Sequence, residues 1–347
     1  MKKSITLKDI AAKAGISTAA VSMILSNSTT HRFSKETVDN VMSIANDCGY
    51  KTPRASRGKK KILIVCPFLI NPYYAILVQA IEQKAFEFNC LTSVFTTYWR
   101  PEREKDIYDL VKQNCYDGII FTMIPTQSEY AISIAKTTPI VIIGDRKYDM
   151  NLDAVDVDNG YAGRMVAEHL IDLGHKNIAY ISTEMTSSHS ARILRFQGLK
   201  EEYERACHDG KVIVYTTDTS LEEHKGISDL EYQMGLNMTK RCLREHPEVT
   251  AIVGMNDMIS FGIVDALAIA GKKIPEDFSV ASFDNIYPSH FSTISLTSVD
   301  YCIEERGQKA VQIIVDQLDK PSRENAITRI EYRISLATRN STGKARQ

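Results

Sequence analysis

The sequence predicts a small all-α head followed by an α/β body of two doubly wound parallel-sheet units. Three observations carry this. Short β-branched runs alternate with helical segments, and midway through the chain the alternation restarts. The first 50 residues hold no such run, and instead place three caps before three apolar stripes of helical spacing. Charge is divided too: residues 1–61 carry twelve Lys/Arg against four Asp/Glu, a formal +8, and the remainder carries 30 basic and 39 acidic groups, −9. A basic head on an acidic body is aimed at a polyanion, the bland alternative being a solvated basic tail. With 347 residues, 44% apolar and 24% charged, the chain has the make-up of a soluble protein of two or three domains, not of a disordered chain or a rod. No run of 18 apolar residues occurs, so no membrane span is expected. Lys8, Asp9 and Lys13 argue against a secretory leader. Seven scattered cysteines (Cys48, Cys66, Cys90, Cys115, Cys207, Cys242 and Cys302) show no CxxC spacing and are expected to be reduced thiols of a cytosolic protein, with no disulfide framework or zinc site.

In the head, Thr6 is placed to cap a first helix, with Asp9 reaching back to close a capping box. Leu7, Ile10, Ala11 and Ala14 then fall on one face, and Gly15 supplies a left-handed stop. Ser17 caps a second helix, Ile16 staples onto Val21, and Ala20, Val21, Ile24 and Leu25 form its buried face. Ser34 caps a third, with Phe33 against Val38, and with Val41, Met42 and Ala45 inward; Gly49 ends it. Two short helices across a glycine turn, closed by a third, make a helix-turn-helix. A protein-docking bundle is the alternative. Against it, the outward positions of the second helix are Thr18, Ala19, Ser22 and Met23, small or uncharged residues that let a helix sit deep in a major groove.

At these residues the chain resembles the LacI/GalR (lactose-repressor-like) family of bacterial transcription regulators. TLKDIAAKAGISTAAVSMILS (6–26) follows the family's N-terminal pattern, and FSKETVDNVMSIANDCGY (33–50) follows its third helix. The resemblance implies DNA contacts from Thr6, Ser17, Thr18, Ala19, Ser22, Met23 and Asn27. Two departures stand out. The family usually has arginine where Met23 stands; a thioether cannot donate a hydrogen bond, so readout there leans on apolar contact such as a thymine methyl. The linker KTPRASRGKKK (51–61) is shorter than the family's hinge and lacks its minor-groove leucine. Arg54 and Arg57 remain, with Lys59, Lys60 and Lys61, for phosphate or minor-groove contact.

In the body, ILIVC (62–66), LTSVF (91–95), GIIFT (118–122) and PIVIIG (139–144) read as strands buried on both faces. A helix over 74–89 turns Leu77, Val78, Ile81, Ala85 and Phe88 inward. The second round is a helix over 160–173, strand NIAYI (177–181), a helix from about 190, strand VIVY (212–215), a helix before His246, strand TAIVG (250–254), a helix over 257–270 and strand FSVASF (278–283). A helix over about 302–319 and one terminal strand over about 327–337 close the pattern. Ligands of such sheets bind beyond the carboxyl ends of the strands. Those ends hold NPYY (71–74), Asp145, Asn256 with Asp257, and Asp284, with Arg195 on the helix after 190. Aromatic faces, carboxylates, an amide and a guanidinium suit a small polar ligand such as a sugar. The alternatives are helix caps for Asn256 and Asp257, packing for Tyr73 and Tyr74, and solvated turns for Asp145 and Asp284.

The resemblance extends over the body through residues 155–181, SARILRFQG (190–198), GMNDMISFG (254–262), IPEDFSVASFDN (274–285) and TRNST (338–342). It implies a periplasmic-binding-protein-like body whose effector contacts are Tyr73, Tyr74, Asp145, Arg195, Asn256 and Asp284, with His169 and His175 structural. No GxGxxG, Walker, GxSxG or HExxH pattern occurs, so no catalytic residue, cofactor or metal is expected. Asp156 and Asp158 read as rim residues and Trp99 as a surface anchor, an overhang of the cleft being its alternative. The organisation expected is a DNA-binding head over 1–50, a basic linker over 51–61 and an effector-binding and dimerisation body over 62–347. Within the body, the first subdomain takes 62–157 and 294–322, and the second 158–293 and 323–347. The function expected is an effector-controlled repressor, a homodimer or higher oligomer on a pseudo-palindromic operator in the bacterial cytoplasm and nucleoid. A periplasmic-type solute-binding protein is the alternative, disfavoured by the head.

Overall fold

The computed structural model describes residues 5–25, 33–48, 59–113, 115–144, 150–185, 190–216, 229–319 and 326–346. Asn27, Arg54, Arg57 and Asp145 lie outside them. Contacts divide the chain into two units, Met1–Lys60 and Lys61–Gln347.

The first unit holds α1 (Leu7–Ala14), α2 (Thr18–Leu25) and α3 (Lys35–Asp47). Thr6 caps α1: its backbone N–H donates to Asp9 Oδ2 at 2.7 Å, and its hydroxyl accepts from the Asp9 N–H at 3.4 Å. Gly15 ends α1 at φ 69°, a conformation that penalises any side chain. Ser17 Oγ accepts from the Ala20 N–H at 3.1 Å and Ser34 Oγ from the Thr37 N–H at 3.2 Å, so both hydroxyls satisfy otherwise orphaned first-turn donors. The core is Ile10, Ala11, Val21, Ile24, Leu25, Val41 and Ala45. Met42 is not part of it: 47% of it is exposed, and Ile44 packs on the core in its place. Periodicity gives the width of the α3 stripe, but α1 and α2 set its rotation.

The second unit contains two sheets of the same winding. The first, β1 (Lys61–Cys66), β2 (Leu91–Thr96), β3 (Gly118–Phe121), β4 (Ile140–Ile143), β5 (Asp153–Asp156) and β11 (Arg329–Glu331), has the order β11-β5-β4-β3-β1-β2. The second, β6 (Asn177–Ile181), β7 (Lys211–Tyr215), β8 (Ala251–Gly254), β9 (Ser279–Asp284), β10 (Thr297–Asp300) and β12 (Ser335–Ala337), has the order β12-β10-β9-β8-β6-β7. All pairings are parallel except β10 with β12. Central strands β3, β4 and β8 are buried throughout, as strands covered on both faces must be. The edge strand β2 is not: Leu91 and Val94 are exposed, so the expectation of burial on both faces fails at this edge.

Helices α4 (Pro72–Glu87), α5 (Pro101–Lys112), α6 (Ser128–Ala135), α7 (Asn159–Asp172), α8 (Ser190–Ala206), α9 (Leu230–Glu245), α10 (Asp257–Ile269) and α11 (Ile303–Asp319) form the crossovers. Two expected boundaries are corrected. Residues 294–322 divide, because β10 joins the second sheet while α11 packs on α4 and on β3, β4 and β5 of the first. The single terminal strand is two, β11 beside β5 in the first sheet and β12 beside β10 in the second. Each short strand completes whichever edge lies nearest, a choice that apolar pattern does not encode.

His169 and His175 tie the second half to the C-terminal segment. His169 Nε2 lies 2.9 Å from Thr342 Oγ1. The buried His175 places Nδ1 2.8 Å from Thr250 Oγ1, and Nε2 2.8 Å from Ser279 Oγ and 3.0 Å from the Gly343 carbonyl. Burial holds both imidazoles below their ordinary value of 6.5, because it penalises the cation. The unfolded chain therefore takes up protons near pH 6.5 that the folded chain refuses. This contribution is complete above pH 6.5 and is lost as pH falls from there towards the folded values, by at most about 1.4 kcal/mol per pH unit for each histidine. Denaturant melts at pH 7.5, 6.5 and 5.5 are expected to show falling stability, with a shallower pH slope in His175→Gln. An unchanged slope in the variant removes His175 as a source.

Candidate functional site

On the head, Thr6, Ser17, Thr18, Ala19 and Ser22 are exposed, and Met23 is half-buried. The α2 seam is Val21, Ile24 and Leu25, so Met23 stands at its margin and is not fully outward. No acidic side chain lies on α2 to repel a phosphate backbone.

In the body, α4 begins where β1 ends. Asn71 caps it, accepting from the Tyr73 N–H at 2.9 Å, with Pro72 at the first helical position. Tyr73 and Tyr74 therefore leave the first turn together, edge-on to each other at 5.1 Å, and Tyr74 is edge-on to Phe68 at 5.5 Å. From the second half, α8 brings Arg195. It can do so because α7 and α8 touch backbone to backbone: a Cβ on Gly198 would lie 1.9 Å from the Gly160 carbonyl oxygen, and one on Gly163 2.0 Å from that of Arg195. Only glycine permits that approach.

Arg195 is held on several sides. Its Nε donates to Asn159 Oδ1 and its Nη1 to the Met255 carbonyl, each at 2.9 Å. Nη1 also lies 3.6 Å from Asp284 Oδ1, and the guanidinium sits over the Tyr301 ring at 4.6 Å. Tyr301 in turn donates its hydroxyl to Asn159 Oδ1 at 3.1 Å. Asp284 ends β9 at φ 105°, followed by Asn285 at φ 51°. Such a bend costs energy in residues other than glycine and persists only when its surroundings hold it. The brace is Asp257, fully buried, whose carboxylate accepts from the Ile286 N–H at 2.8 Å and from the hydroxyls of Ser289 and Ser298 at 2.5 and 2.7 Å. Burial pushes the Asp284 carboxyl well above the usual carboxylate range; Arg195 opposes the rise, and Asp257 and Glu231 add to it. Asn256 caps α10, accepting from the Ile259 N–H at 3.0 Å.

Tyr73, Tyr74, Arg195, Asn256 and Asp284 thus line one cleft. Asn256 both caps its helix and lines the cleft, so the capping and binding readings hold together. Asn71 of the NPYY segment lines it too, and among the other lining residues Trp99, Arg192 and Glu231 were not selected from the sequence as ligand contacts. Asn71 Nδ2 donates to Glu231 Oε2 at 2.8 Å, joining the start of α4 to the start of α9 across the cleft. Trp99 lines the cleft, which corrects its reading as a surface anchor. Arg192 precedes Arg195 by three residues, one turn on the same helix face, and that spacing was a usable signal. Glu231 had none, since its partner lies 160 residues away. At the crossover, Asp156 is a buried strand residue and only Asp158 meets solvent, capping α7 through the Tyr161 N–H at 2.8 Å, so the two acids do not form a rim pair. No group of His, Cys, Asp and Glu suited to a metal occurs among the described residues, and no described helix is long and apolar enough to cross a membrane.

Comparison with known proteins agrees at both ends of the chain. Residues 6–53 match the model of bacterial regulatory proteins, lacI family, and residues 167–342 that of the periplasmic binding protein-like domain. The HTH-type transcriptional regulator DegA of Bacillus subtilis is 32% identical over 314 residues, covering 87% of this chain and 88% of that protein. The HTH-type transcriptional repressor PurR of Histophilus somni is 25% identical over 334 residues, 94% and 96% of the two chains. A LacI family transcriptional regulator from Enterococcus faecium, solved with bound ribose, superimposes with a TM-score of 0.69 at 24% identity, over 83% of this chain and all of that one. With a helix-turn-helix head, two sheets wound alike and a cleft at their carboxyl ends, this chain belongs to the lacI family of bacterial regulatory proteins and is a DNA-binding transcriptional regulator.

Proposed function

We propose that this regulator is a repressor whose operator affinity is set by a sugar or sugar derivative bound in the body's cleft. The observation that carries the reading is the convergence of Tyr73 and Tyr74 with Arg195, Asn256 and Asp284 on one cleft. Aromatic faces pack on the apolar faces of a pyranose or furanose ring, and the charged and amide groups bond its hydroxyls. The ribose in the Enterococcus faecium regulator supports the same class. Asp145 joins the proposed contacts through its place in the sequence just after the strand over 139–144 and through the family resemblance. The cleft binds its ligand without changing it.

On the DNA side, the proposed contacts are Thr6, Ser17, Thr18, Ala19, Ser22, Met23 and Asn27, with Arg54 and Arg57 in the linker. A single helix-turn-helix unit reads only one half-site, so the proposed working species is a homodimer on a pseudo-palindromic operator in the cytoplasm. The exposed edge strand β2, with Leu91 and Val94 uncovered, offers apolar surface for self-association. Ligand and operator then share one linkage: whatever the ligand does to operator affinity, the operator does to ligand affinity. The test is a band shift of the full chain on the promoter fragment beside its gene. A shifted species with two chains per duplex, released or strengthened by one sugar of a panel, is expected. A shift that no sugar alters overturns the ligand class, and no shift on any neighbouring promoter overturns the site on the DNA.

A further inference from the structure

Arg192 enters the cleft one turn before Arg195, and its Nη1 is sealed from solvent with no hydrogen-bond partner among the described residues. Buried polar atoms are nearly always bonded, so an exception at the wall of a binding cleft needs a cause. The cleft's own carboxylates are occupied elsewhere. Glu231 acts on Arg192 electrostatically, but its hydrogen bonds come from Asn71 and Asn256. Asp284 lies against Arg195. Burial disfavours the Arg192 cation and holds its pKa below the ordinary arginine range, opposed chiefly by Glu231. A ligand that brings its own negative charge to this corner relieves that penalty and fills the open donor at once.

We propose that Arg192 makes the cleft selective for an anionic sugar derivative, Nη1 donating to a carboxylate or phosphate oxygen while the aromatic residues and the Arg195–Asp284 pair hold the ring. This rests on the reading of the cleft as a sugar site. A neutral hydroxyl could accept the same N–H, but a charge-assisted bond is roughly twice as strong and the guanidinium fork fits a planar or tetrahedral oxyanion.

The experiment is calorimetric titration of the full chain with D-glucose, D-galactose and D-ribose, and with D-glucuronate, D-galacturonate, glucose 6-phosphate, galactose 6-phosphate and ribose 5-phosphate. At least one charged member is expected to bind about tenfold or more tightly than its neutral parent. Whether a uronate or a phosphate does so identifies the source of the charge. In Arg192→Gln the ratio of charged to neutral affinity is expected to fall to about one; Arg192→Lys, which keeps the charge but loses the fork, retains part of the preference. Neutral parents binding as tightly as their charged partners overturn the selectivity and leave the sugar reading standing. A preference that persists in Arg192→Gln, with an unchanged melting temperature, overturns the role of Arg192. Binding of none of these compounds overturns both.

Discussion

A chain beginning at Lys61 is expected to fold, to bind the cleft ligand, and to lose DNA binding altogether. Folding is expected because the cores do not mix: Ile10, Val21, Ile24 and Val41 belong to one cluster, and the clusters of the body draw on residues from Ile62 onward. DNA binding is lost because residues 1–61 hold the formal +8 whereas the rest holds −9, and an acidic body repels phosphates. In the full chain each phosphate contact contributes about 0.9 to the slope of log K against log salt. The truncated chain should show no such slope. Filter binding across a salt series measures it, and operator binding retained by the truncated chain removes the head as the reader.

Asp284→Asn is expected to weaken binding of the sugar or sugar acid that the panel selects by more than about tenfold, because a site built to bond a ligand is left with unmatched buried partners. Operator binding without ligand should change little. Arg195→Ala is expected to weaken binding at least as much and also to lower the melting temperature, since Arg195 supports Asn159 and the Met255 carbonyl as well as Asp284. The pair of variants separates recognition from bracing. Loss of stability with ligand affinity intact in Asp284→Asn would assign these residues to loop support alone. Calorimetry with a thermal melt on each reads both quantities. In a cell, an induced repressor carrying Asp284→Asn stays repressing, and one that needs a corepressor stays open.

Much of this was legible in the residues. Hydroxyl caps at Thr6, Ser17 and Ser34, each ahead of an apolar stripe, mark the helices of the head, because capping and helical spacing are local and the chain carries both at short range. The β-branched runs mark the central strands, since a strand buried on both faces has little choice but Val and Ile. Arg195, Asn256 and Asp284 were legible as cleft residues because the carboxyl ends of parallel strands face the same edge whatever their distance in sequence.

The tertiary structure decided what depends on neighbours far along the chain. Val38, Val41 and Ala45 announce a stripe on α3, but whether Met42 or Ile44 completes it depends on where α1 and α2 lie. The chain passes between the sheets three times, and only the finished packing sends β10 and β12 to one and β11 to the other. Asn71 meets Glu231, 160 residues away, and Arg192 and Trp99 reach the cleft, because the two halves of the body face each other there. Local conformation follows from the side chains nearby, and the sequence determined it; juxtaposition follows from how completed elements bury their remaining surfaces, and the site exists only through that burial.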